Sequence, residues 1–196
     1  MTADLHRSDG VDRPLLPERI ETERLVIRLW ELEDAPALHD AVTASVEHLQ
    51  PWMAWIANEP LSVDERADLI ATWRQQRGSM LDAVYGIFTA DGTLVGGAGL
   101  HHRIEPTGLE IGYWLHVDQT GRGYATETAR ALTDVALDHP GIDYVEIHHD
   151  VANERSGAVP ARLGYIHIGD EPRELAAPGE AGITRSWRLT GDDQRS

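Results

Sequence analysis

The sequence predicts a mixed α/β fold in one domain, and three observations carry that prediction. Short runs of β-branched and aromatic residues alternate along the chain with stretches whose apolar positions recur at helical spacing. Two of the short runs flank Asp91-Gly92, a strong hairpin signal. Later a strand, a glycine-bearing loop, a helix and another strand follow one another, the order of a β-α-β crossover. Together these give about seven strands in a central, mostly antiparallel sheet flanked by about four helices.

The elements follow in order. Residues 1–18 carry Pro14 and Pro17 among charges and read as a flexible tail, so the domain is expected over 19–191, with 192–196 as a C-terminal tail. The run from Arg24 to Trp30 is rich in β-formers. Asp34 then offers an N-cap, Pro36 suits the first turn, and Ala35, Leu38, Val42 and Val46 mark a helical face. Leu49 to Ile56, with Trp52 and Trp55, lacks either period. Ser62 and Glu65 form a capping-box pattern ahead of a helix running to about Gly78, striped by Leu69, Ile70 and Trp73. Ala83 to Ala90 and Leu94 to His101 form the hairpin. A Pro106-Thr107-Gly108 turn leads into a strand from Leu109 to Val117. Ala125, Ala129, Leu132 and Ala136 share one helical face until Pro140-Gly141 stops it. Tyr144 to His149 is the next strand. Asn153 caps a short helix ending near Gly164, and Tyr165 to Ile168 and Thr184 to Leu189 close the sheet.

The length of 196 residues suits one domain, and 41% hydrophobic residues suffice for a core. No apolar run of about 18 residues exists, so no membrane span is expected. The first ten residues hold no apolar signal segment. The chain has no cysteine, which removes disulfides, thiolate metal sites and a Cys nucleophile, and fits a reducing, cytoplasmic setting. The net charge is −16, and all 17 of its Lys-or-Arg cations are Arg. That field repels phosphate backbones, so nucleic acid is not an expected partner, whereas a cationic ligand would be drawn in. The pairs His101-His102 and His148-His149 raise a metal site, but adjacent strand residues face opposite ways and one pair does not chelate one ion. No metal is expected.

The most informative segment is Thr120-Gly121-Arg122-Gly123-Tyr124-Ala125-Thr126, which joins a strand directly to a helix. Its small residues permit a tight turn and close approach to a ligand. The helix that starts there leaves its first N–H groups unpaired and adds partial positive charge, making an anion cradle that Arg122 would reinforce. Gly121 and Gly123 also match two glycines of the dinucleotide fingerprint. Thr126 stands where the third belongs, and the preceding strands form an antiparallel meander, which argues against a nicotinamide site.

Three ordered motifs stand out: Glu110-Ile111-Gly112-Tyr113-Trp114-Leu115, then Gly121-Arg122-Gly123-Tyr124-Ala125-Thr126-Glu127, then Asn153-Glu154-Arg155-Ser156 ahead of Leu163-Gly164-Tyr165. With the opening Thr22-Glu23-Arg24-Leu25 and Asp34-Ala35, the chain resembles the GNAT superfamily of N-acetyltransferases from about residue 20 to 190. Within it, the RimJ/RimL-like ribosomal-protein branch is the nearer likeness. The resemblance implies a GNAT-like domain, acetyl-CoA as donor and an amine as acceptor. It places Thr120 to Thr126 on the diphosphate, although Thr120 replaces the usual Gln or Arg and Gln119 lies one residue early. It also implies main-chain contacts to pantetheine near Leu115 and Val117, and a side-chain contact from Asn153.

The same resemblance puts Ser156 near the departing thiol. Glu174, just after the sixth strand, lies close to where RimL-type enzymes carry a carboxylate proposed as base, and Trp52 and Trp55 border the acceptor. Glu110 is a second candidate base, acting through water, and the strand-end histidines are others. Pro160 cannot donate to the carbonyl of Ser156, so a local distortion of that helix is expected. The favoured reading is direct acetyl transfer to a protein N-terminal α-amine. A small-molecule amine acceptor and a non-catalytic acyl-CoA-binding protein are the alternatives, and either a monomer or a homodimer fits.

Overall fold

The computed structural model describes residues 14–77, 82–104 and 107–194. Strands β1 (Arg19–Glu21) and β2 (Leu25–Leu29) lead through a 3-10 turn (Leu32–Asp34) to helix α1 (Ala35–Leu49). A second 3-10 turn (Ala54–Asn58) precedes α2 (Val63–Gln76). Then come β3 (Ala83–Thr89), β4 (Leu94–His101), β5 (Gly108–Leu115) and a third 3-10 turn (Val117–Gln119). Helix α3 (Tyr124–Leu137), β6 (Tyr144–Asp150), α4 (Glu154–Leu163), β7 (Ile166–Pro172), β8 (Ile183–Thr190) and the short α5 (Gly191–Gln194) complete the fold.

The strands form one sheet of order β1-β2-β3-β4-β5-β6-β8-β7. Only β5 and β6 run parallel; every other neighbouring pair is antiparallel. The parallel pair is the one joined through α3, because a parallel connection needs a crossover long enough to bring the chain back. The sheet separates two apolar layers. On one face Leu100, Ile111, Val145 and Ile147 pack with Ala129, Leu132 and Val159 of α3 and α4. On the other, Trp30 and Phe88 pack with Leu38, Val42 and Ile70 of α1 and α2.

Several expectations need correction. The fold class is as expected; among the described residues the sheet has eight strands, one more than the seven read from the sequence, because the tripeptide of β1 pairs with β2. The N-terminal tail is shorter than expected. Leu16 is buried, and the carbonyls of Pro17 and Glu18 accept from the Tyr85 hydroxyl and the Leu29 N–H. Residues 1–13, Gly78 and Pro106 lie outside the described residues. At the other end, 191–194 form α5, closed by reciprocal bonds between Thr190 and Asp193. Asp34 makes no side-chain cap on α1. Its carboxylate instead takes Arg28 in a two-pronged pair at 2.7 and 2.8 Å and the Glu31 N–H at 2.8 Å. The Ser62–Glu65 capping box forms as expected. Among the described residues no helix is long and apolar enough to cross a membrane.

Candidate active site

The site begins where β5 and β6 part. They pair only over Gly108–Glu110 against Tyr144–Glu146, and the remainder of each strand diverges. On its other side β5 stays paired with β4 as far as Leu115. The His116 N–H donates to the Val95 carbonyl, so the alternation of an antiparallel ladder turns the main-chain groups of Tyr113 and Leu115 toward the gap. Leu115 therefore presents the kind of edge an extended ligand extends. Val117 does not: its N–H donates to Ser45 Oγ at 3.0 Å, and its carbonyl accepts from Thr120 Oγ1 at 3.1 Å. The Thr120 hydroxyl is thereby turned back onto its own loop.

At the wide end of the gap lies the glycine loop. Gly121 and Gly123 take φ of 75° and 81°, and Gly123 occupies the N-cap of α3 without any side-chain cap. A side chain is strained in that left-handed region, which is why glycine stands at the position that turns the loop into the helix. Among the described residues, the amides of 121–126 donate to nothing in the protein. They form an anion cradle at the positive end of α3. The loop is braced from behind by Glu127, which accepts from Thr22 Oγ1 at 2.5 Å and Arg24 Nε at 2.7 Å. Burial pushes the Glu127 carboxyl up, but these donors outweigh it and hold it below its ordinary value. Arg24 also donates to the Arg122 carbonyl at 3.0 Å. Its guanidinium thus braces the loop from behind, while the Arg122 side chain is exposed and lines neither of the two clefts of this site. Arg155 and Arg162 of α4 add cationic lining that sequence reasoning missed.

The cleft beside this loop, of about 1930 Å³, meets a second one of about 760 Å³ on the α1–α2 side of the sheet. Tyr113, Trp114, Asn153 and Ser156 line both, together with Trp52 and Met53. Asn153 caps α4 through Oδ1, which accepts the Ser156 N–H at 3.2 Å, leaving its amide NH2 as the group able to serve a ligand. The Ser156 hydroxyl lies 3.3 Å from that of Tyr113. Helix α4 continues through Pro160 rather than breaking there. The Ser156 carbonyl, denied the N–H of residue 160, accepts the Tyr113 hydroxyl at 3.2 Å.

The second cleft sorts the candidate bases. Glu174 is exposed on the loop after β7 and lines neither cleft. The carboxylate that turns inward there is Glu180, bound by Arg173 and the Ala176 and Ala177 N–H groups. A row crosses four strands in register, His101, Glu110, Glu146 and Arg188. Within it Glu146 is taken by Arg188 Nε at 2.7 Å and His148 Nε2 at 2.5 Å. Among the described residues Glu110 pairs with Arg103 alone, at 3.8 Å, and keeps lone pairs for a ligand or water. Burial lowers the pKa of His101, so its imidazole is neutral at pH 7. His149 is committed: Nδ1 bonds the Asp150 carbonyl at 2.8 Å and Nε2 accepts from Trp187 at 3.0 Å. Asp150 accepts four backbone N–H groups, from Ala152, Ala181, Gly182 and Ile183. Among the described residues no group of three His, Asp or Glu side chains is arranged to hold a metal.

Trp55 lies edge-on to Trp114, with centroids 6.0 Å apart. Trp114 in turn occupies the space that a Cβ at Gly97 would fill, 2.5 Å from its Nε1. Of the two aromatic residues expected beside the acceptor, Trp52 lies at the junction of the clefts and Trp55 lines the second one.

Comparison with known proteins agrees with this geometry. The model of the acetyltransferase (GNAT) domain family matches residues 24–166. The chain is 33% identical over 149 residues to the Bacillus subtilis (strain 168) protein named "Putative ribosomal N-acetyltransferase YdaF", covering 75% of this chain and 80% of that one. A crystal structure described as a probable acetyltransferase superposes with a TM-score of 0.81 at 29% identity, over 89% of this chain and 98% of the other. RimL, a ribosomal-protein alpha-N-acetyltransferase in complex with coenzyme A, gives 0.79 at 22% identity, over 92% and 99%. The parted parallel strands, the uncapped glycine loop and these matches agree: the chain belongs to the GNAT acetyltransferase family and is an acyltransferase.

Proposed function

We propose that this protein transfers the acetyl group of acetyl-CoA to the α-amine of a protein N-terminus by direct attack, with no acyl-enzyme step. The observation that carries the reading is the junction of the two clefts at Tyr113, Asn153 and Ser156. A donor in one cleft and an amine in the other meet there, and the chain has no cysteine to carry the acyl group between them. Bound acetyl-CoA supplies an activated acyl carbon and a thiol leaving group. The amides of 121–126 hold the diphosphate, and the main chain of Leu115 aligns the pantetheine arm as a further strand. Asn153 contributes its amide NH2, and Ser156 Oγ–H gives its proton to the departing sulfur. Glu110 accepts the amine's proton through water, with the neutral His101 beside it in register.

A protein α-amine has a reference pKa of about 7.7–8.0, against about 10.4 for Lys, so the α-amine needs only a weak base. The names of the relatives, which speak of ribosomal N-acetylation and of a ribosomal protein's α-amine, favour the same acceptor class. Mass spectrometry of a panel of free-N-terminus peptides and small amines, each with acetyl-CoA, tests the reading. The expected product is a peptide acetylated at its N-terminus, with Ser156→Ala slower by about 10². Acetylated small amines beside untouched peptides overturn the acceptor, and no acetylation of any amine overturns the function.

A further inference from the structure

We propose that Tyr113 is a positioning residue that acts through Ser156, and that Pro160 makes this possible by freeing the Ser156 carbonyl. The inference rests on the reading of Ser156 as proton donor and adds what holds it in place. In an uninterrupted helix that carbonyl would accept the N–H of residue 160, and a proline there has none to give. The carbonyl accepts the Tyr113 hydroxyl instead, at 3.2 Å, across the place where β5 and β6 have already separated. β5 and β6 no longer pair at this point, and the phenol ties the strand directly to the first turn of the helix.

Tyr113 Oη lies almost equally far from Ser156 Oγ, at 3.3 Å. Both separations are long for O–H···O contacts. With its own proton turned to the carbonyl, Tyr113 meets the serine through a lone pair. The Ser156 hydroxyl is thus oriented while its proton is held weakly enough to be given up. Burial pushes the Tyr113 hydroxyl up to about 12, so the donor to the carbonyl persists across any working pH. The hydroxyl of Tyr113 reaches Ser156 of α4, and Tyr113 and Ser156 line both clefts.

The test is a kinetic cycle on the full chain with acetyl-CoA and an accepted amine, together with thermal melts. Tyr113→Phe is expected to lower kcat about tenfold while the KM for acetyl-CoA stays within about twofold. In a Ser156→Ala background the same change is expected to cost nothing further, because the phenol acts only through the serine. Pro160→Ala supplies a competing N–H to the carbonyl. It is expected to raise Tm and lower kcat several-fold, a pair of signs that a purely structural role does not produce. Equal losses from Tyr113→Phe with and without Ser156 overturn the inference, as does a wild-type kcat in Tyr113→Phe. If Tyr113→Phe does not fold, an unchanged kcat in Pro160→Ala overturns it. A slow Ser156→Ala in any of these cases leaves the proton-donor reading standing. A Ser156→Ala at the wild-type rate removes that reading and this inference with it.

Discussion

Glu59 and Arg66 are the most deeply buried ion pair among those described, with side chains 7% and 2% exposed and oxygen and nitrogen 2.6 Å apart. Both border the second cleft. Among the described residues Glu59 Oε1 and Arg66 Nε have no hydrogen-bond partner, so the pair is only half satisfied. Removing one member of such a pair strands a charge in a poor solvent for it, whereas removing both is far milder. Arg66→Met is expected to destabilise the fold by about 3–5 kcal/mol in urea titrations, and adding Glu59→Leu to restore most of the loss. Additive losses would mean that the two do not work as a pair. Nothing local foretells this contact, since seven residues and a helix start separate the partners. The Ser62–Glu65 cap, by contrast, was legible because both its bonds lie within one turn. Ser156 and Asn153 were legible as positions in a motif, but the tie from Tyr113 to Ser156 spans 43 residues and appears only in the fold. Glu174 shows the reverse failure. The resemblance suggested a base there, yet Glu174 is exposed and the loop carries Glu180 inward instead.

Among the elements, the turn of the glycine loop into α3 was readable, because it needs conformations only glycine takes easily, and the role proposed for it rests on backbone N–H groups. Gly123 at φ 81° tests that claim against Gly164, which ends α4 at φ 82° well away from the loop. An alanine at either is strained by about 1 kcal/mol, so both variants are expected to lose similar stability. Only Gly123→Ala relaxes by turning amides out of the cradle. Calorimetry is expected to show coenzyme A bound at least about fivefold more weakly by Gly123→Ala and unchanged in Gly164→Ala. Equal affinities in the two variants would detach the loop from the diphosphate. The strands were readable where β-formers alternate, hence the close agreement over β3 and β4. They were not readable in β1, whose charged residues pair only because β2 offers an edge, nor in the outer half of β7. There Gly169 to Pro172 lack β-formers and are held by β8, with Asp170 and Arg185 in a two-pronged pair at 2.8 and 2.6 Å.

At the scale of the whole molecule, the crossover through α3 was foreseen but the placing of β8 between β6 and β7 was not. Local pattern does not say which strand of the last hairpin takes the free edge of β6; seven register pairs with β8 decide it. That choice brings Trp187 against His149 and so fixes how the molecule answers acid. Burial lowers the pKa of His149, as it does for His48 and His101. Each is held neutral in the fold, while the unfolded chain takes up protons near the ordinary histidine value of about 6.5. Stability from these groups is complete above that value and is lost as pH falls toward the lowered pKa of the folded state. The net charge of −16 acts the other way, because acid relieves self-repulsion. A single melting curve therefore mixes the two effects, and a variant that cannot titrate separates them. His149→Gln loses the ring contact with Trp187 at every pH, so it is expected to be less stable than the parent at pH 7.5. It gives up nothing to protonation, so its deficit in urea titrations is expected to shrink steadily from pH 7.5 to 5.5. A deficit that stays constant or widens over that range would show that His149 does not enter the fold as the neutral base its two hydrogen bonds require.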